Sequence, residues 1–157
     1  MQYHIIAFKD VIVSILAGYM MIPMVLFINN VSMLFSKNYL EAASQTLLTY
    51  PFVVQIILMA VIPALVEEFI FRGLFYGTYR KCGVLKGALM SGLVFGLFHL
   101  NINQFCYAFV IGVVFAFLVE ATGSIWSSVL AHFAINTYSI TIIQPVSYTH
   151  LRAHETL

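Results

Sequence analysis

Ala64-Leu-Val-Glu-Glu-Phe-Ile-Phe-Arg-Gly-Leu-Phe75 places two adjacent glutamates and an arginine inside a run that is otherwise almost entirely Leu, Ile, Val and Phe. Outward from it the apolar character continues to Leu47 on one side and to about Tyr79 on the other, more than the roughly 20 residues that cross a bilayer core. The whole chain has the same bias. Of its 157 residues 62% are hydrophobic and 8% charged, where a soluble domain carries about a quarter charged residues. The chain therefore reads as a membrane protein. A formal net charge of +1 supplies no basic field for nucleic acid, so its surroundings are the lipid bilayer.

Four further apolar runs flank this segment: Val11 to about Phe35, Val84 to Leu100, Phe105 to Val119, and Ile125 to about Ile143. Together they predict an all-α, polytopic transmembrane bundle of about five spans. Pro63 removes the hydrogen bond to the carbonyl of Met59 and predicts a kink just before Glu67. The stretch Met1 to Leu16 lacks a small-residue cleavage site and reads as the lead-in to a retained helix. Lys9, Arg80, Lys81 and Lys86 fall on one side if the spans alternate, and that side is expected to be cytoplasmic; Lys37 stands alone on the other. Trp126 suits an interfacial anchor. Cys82 and Cys106 have neither disulfide nor metal-ligand spacing and read as free thiols.

A charge deep in a bilayer costs at least about 2.5 kcal/mol unless it is paired or faces a wet cavity, which makes Glu67, Glu68 and Arg72 functional candidates. An i,i+4 clasp between Glu68 and Arg72 accounts for two of them as structure alone and leaves Glu67 unexplained. Two more polar sets lie at helical spacing: Phe95 with His99, and His132 with Asn136. A lone buried histidine is usually a satisfied packing residue. Counted from the Arg80–Lys86 turn, however, Glu68 and His99 both lie roughly 20 Å in and should be level, with His132 shallower but within reach. Gly92 and Gly96 form a GxxxG face that permits close helix packing.

Glu67-Glu68-Phe-Ile-Phe-Arg72 matches EExxxR, Phe95-Gly-Leu-Phe-His99 matches FxxxH, and His132-Phe-Ala-Ile-Asn136 matches HxxxN, in that order and on separate helices. The chain resembles the CPBP family of intramembrane proteases, which includes type II CAAX prenyl proteases, abortive-infection (Abi) proteins and bacteriocin self-immunity proteins. The resemblance implies a multi-pass protein of the cell membrane with its cavity toward the cytoplasm, acting on a protein or peptide substrate. It assigns water activation to Glu67 with His99 and oxyanion stabilisation to His132 and Asn136, with Glu68, Arg72 and Phe95 in support. The family is commonly called metalloprotease, and Glu67, His99 and His132 would supply a three-ligand zinc site; a Glu/His pair can also polarise water without metal, and the reading leans that way. The other reading is a non-enzymatic interaction or transport protein in which the same buried residues carry protons or ions. Glu67 is expected nearer than Glu68 to both His99 and His132, with Glu68 held by Arg72.

The domain reading is 1–46 for an N-terminal helix and connection, 47–144 for the protease-like core, and 145–157 for a non-native tail. That tail resembles a translated sequencing adapter. On this reading the native C-terminus and any later helix are missing, and His150 and His154 lie outside the site.

Overall fold

In a computed structural model of the chain, residues 6–36 and 47–155 are described, apart from the side chains of residue 48 and residues 143–155. Among the described residues there is no strand, and five long helices follow one another: α1 (Phe8–Met33), α2 (Phe52–Cys82), α3 (Val84–Phe98), α4 (Ile102–Thr122) and α5 (Ile125–Glu155). A single 3₁₀ turn, Leu47–Thr49, precedes α2. By length and composition α1, α2 and α4 can each cross a membrane, while α3, with 15 residues, is shorter. Many of their large apolar side chains point outward, among them Met20, Phe27, Leu74 and Leu97. In water such a surface would be untenable; in lipid it is the expected exterior. The protein is a membrane-embedded helical bundle. Helix α5 runs to Glu155, past the end expected near Ile143, and the side chains of the segment read as a tail, 145–157, lie outside the described residues.

Two of the turns need backbone conformations that glycine takes without strain. Gly83, between α2 and α3, has φ of 115°, and Gly123, closing α4, has φ of 68° with its N–H on the carbonyl of Val119 at 2.8 Å. The α3–α4 turn instead places exposed Leu100 at φ of 52°, and the Asn101 side chain then caps α4 by accepting from the Asn103 N–H at 3.0 Å.

Helix α2 departs from a simple α-helix. Two stretches, Ile57–Val61 and Phe69–Tyr76, have π-helical pairing. The first ends two residues before Pro63, which stands in the opening turn of the α-helical segment Ile62–Glu68. A proline there has no N–H to donate to the carbonyl of Met59, and the widened turn before it lets the displaced carbonyls pair differently. The irregularity expected at Pro63 thus takes the form of a π stretch. The second begins immediately after Glu68 and carries Arg72. One of its carbonyls, that of Phe71, accepts from the Ser91 hydroxyl of α3 at 2.8 Å.

Close packing is concentrated at the crossing of α3 and α4. A Cβ on Gly112 would lie 2.7 Å from Gly92 Cα, so the two backbones touch directly at this point. A Cβ on Gly18 of α1 would meet the Ala131 carbonyl of α5 at 2.6 Å. Near the α2–α3 turn, Glu120 of α4 accepts from the Tyr76 hydroxyl at 2.7 Å and from Arg80 Nη2 at 2.6 Å, tying the ends of α2 and α4 together.

Candidate functional site

Helices α2, α3 and α5 bring the three polar motifs to one place. Glu68 and Arg72 are both fully buried and joined by a 2.9 Å ion pair between Oε1 and Nη1. The same Glu68 oxygen lies 2.9 Å from His132 Nδ1. A carboxylate that already receives a guanidinium proton is an acceptor, so Nδ1 carries the hydrogen and donates. On the opposite edge of the imidazole, Nε2 is 3.9 Å from Glu67 Oε2. Glu67 keeps 20% of its side-chain surface exposed, whereas Glu68 has none. The two adjacent carboxylates are therefore different groups: one is fixed inside the bundle, the other reaches the wetter side of the same ring.

His99 closes α3, and its Nδ1 lies 2.9 Å from the carbonyl oxygen of Phe95, to which it must donate. Its Nε2 then holds the free lone pair. The Phe95 ring stands edge-on to both imidazoles, 5.0 Å from His99 and 6.0 Å from His132 between centroids. Asn136, half-buried one turn beyond His132 on α5, makes no hydrogen bond to these side chains among the described residues.

The clasp between Glu68 and Arg72 is as expected from their spacing. The expectation that Glu67 lies nearer to His132 than Glu68 does is overturned: Glu68 makes the direct contact and Glu67 the longer one. The physical reason is that a buried imidazole N–H needs an acceptor, and the arginine-held Glu68 carboxylate is the one fixed in place beside it. Among the described residues no three of His, Cys, Asp and Glu converge closely enough to hold a metal ion. Within the set Glu67, His99 and His132, the His132 Nδ1–H is held by Glu68, which leaves its Nε2 facing Glu67 Oε2 at 3.9 Å.

Sequence reasoning gave α4 no part in the site, yet Phe115 of α4 is fully buried with its ring 5.7 Å from that of His132. Its sequence context, the apolar run from Phe105 to Val119, holds no signal that singles it out.

A family model described as type II CAAX prenyl endopeptidase Rce1-like matches residues 49–138. The chain is also 31% identical over 93 residues to the protein named "Putative membrane peptidase YdiL" of Bacillus subtilis (strain 168). That alignment takes in 58% of this chain and 38% of the relative, so the chain spans well under half the length of that curated relative. No solved structure matches it. The matched region contains Glu67, Glu68, Arg72, Phe95, His99, His132 and Asn136 and covers more than half of the chain, and on that ground the protein belongs to the type II CAAX prenyl endopeptidase Rce1-like family.

Proposed function

We propose that this chain is the core of an intramembrane endopeptidase that hydrolyses a peptide bond with a water activated by Glu67 and His99, without a resident metal. The observation that carries the reading is the opposition of Glu67 Oε2 and His132 Nε2 at 3.9 Å, with the far side of the imidazole held by Glu68 and Arg72. A gap of 3.9 Å is too long for a direct hydrogen bond, but a water roughly 2.8 Å from both atoms would subtend about 90° between them, a workable angle for one oxygen.

In this reading Glu67 takes the proton of the attacking water, and the His99 Nε2 lone pair helps to orient it. The carbonyl oxygen of the scissile bond becomes an oxyanion, to which His132 and Asn136 donate. Because His132 Nδ1–H is directed at Glu68, this donation requires a proton on Nε2 as well. Glu68 and Arg72 hold the ring rather than react. The proton on Glu67 is then passed to the leaving amine, which restores the carboxylate.

The substrate class we assign is a membrane-apposed peptide of CAAX type, and the basic turn of Arg80, Lys81 and Lys86 supports a cavity that faces the cytoplasm. Reconstitution into proteoliposomes tests this with two peptides of one CAAX-terminated sequence, farnesylated and unmodified. Cleavage of the farnesylated peptide with release of its last three residues supports the assignment. Cleavage of neither would reject it, and equal cleavage of both would keep the protease and remove the prenyl requirement.

A further inference from the structure

The guanidinium of Arg72 is fully buried, yet only Nη1 has a hydrogen-bond partner among the described residues; Nε and Nη2 have none. What faces it instead is aromatic. Its Cζ lies 4.4 Å from the centroid of the Phe95 ring and 5.3 Å from that of Phe115, so α3 and α4 each supply a π face to the same cation. Space for this arrangement depends on Gly112 of α4, where a Cβ would stand 3.2 Å from Arg72 Nη2 and from Phe95 Cδ1.

From this geometry we infer that Phe115 is a positioning residue for the reaction: with Phe95 it cages the Arg72 guanidinium, and the caged arginine fixes Glu68, which in turn orients His132. The inference rests on the endopeptidase reading for its link to activity, and on packing alone for the cage. Phe115 also contacts the far end of this relay, its ring tilted by 44° against that of His132. Removing its π face, with an apolar side chain left in its place, would leave the cation one-sided in an apolar interior and free to turn away from Glu68. Because Phe115 acts through Arg72 and Glu68 on the orientation of His132, which serves the oxyanion, the effect belongs to kcat rather than to KM.

The test compares Phe115→Leu, Phe115→Met and Phe115→Tyr with Phe109→Leu, which removes an aromatic ring from the same helix where it stacks on Phe105. On the farnesylated peptide, Leu and Met are expected to lower kcat about tenfold or more with KM within about twofold, the scale a desolvated cation–π contact sets, while Tyr restores most of it and Phe109→Leu matches wild type. The Met variant keeps the question open to measurement should the Leu variant not fold. Independently of cleavage, the Arg72 Nε–H resonance in selectively labelled protein should be shielded by ring currents in wild type and move downfield in the Leu and Met variants. Wild-type kcat in the Leu and Met variants, or an equal loss in Phe109→Leu, would overturn the positioning role. An unmoved Arg72 resonance would overturn the cage even if wild type cleaved no peptide, and a moved one would sustain it while the endopeptidase reading failed.

Discussion

At the scale of single residues, the neighbours Glu67 and Glu68 are given opposite duties by their surroundings. Glu68 has no exposed side-chain surface and is gripped by Arg72 and His132, so Glu68→Gln leaves a buried guanidinium without its counter-charge. Breaking such a pair typically costs about 3–5 kcal/mol, and the variant should unfold at markedly lower temperature in detergent. Glu67 is partly exposed and makes no direct hydrogen bond among the described residues, so Glu67→Gln should melt within about 0.5 kcal/mol of wild type, as substitutions away from packed networks do. Thermal unfolding of the two variants side by side checks this, and equal destabilisation would merge their roles. The clasp was legible from residue spacing because an i,i+4 relation is local to one helix. The bond from Glu68 to His132 was not, since it joins residues 64 positions apart and depends on how α2 meets α5.

At the scale of the elements, the apolar runs announced the helices to within about five residues, except that α5 runs past the expected end near Ile143 to Glu155, but periodicity cannot report how a helix is wound. The π stretches Ile57–Val61 and Phe69–Tyr76 leave the run of Leu, Ile, Val and Phe unchanged while altering the direction in which side chains leave the axis. The second of them carries Arg72, whose cage is completed by a helix that bears no polar motif residue. The GxxxG face of α3 was readable as a packing surface; its partner, Gly112, was not, because a single glycine in an apolar helix has many reasons to be there. Gly112→Ala should therefore cost more than an alanine in a helix normally would. Its methyl group would press on Gly92 backbone, which cannot swing aside, and overpacking of that kind costs roughly 1–3 kcal/mol. A melting point for Gly112→Ala equal to that of wild type would show that α3 and α4 can separate without penalty.

At the scale of the whole molecule, composition alone was sufficient for the membrane-embedded bundle, because 8% charged residues cannot clothe a soluble fold of this size. The function proposed here uses carboxylate and imidazole without a resident metal, with His132 offering its Nδ1–H to Glu68 and its Nε2 standing 3.9 Å from Glu67. Purified protein should accordingly hold less than stoichiometric zinc and keep its activity in chelator. Tightly bound zinc whose removal ends activity would require Glu67, His99 and His132 to draw together around it.

The central claim, that Glu67 is the base that activates water, is tested most directly by following hydrolysis of the farnesylated peptide in proteoliposomes carrying wild type or Glu67→Gln at matched protein content and matched melting temperature. The account predicts cleavage by wild type and a loss of at least about 10²-fold in Glu67→Gln, the lower end of what general-base catalysis contributes. Equal rates from the two proteins would contradict it.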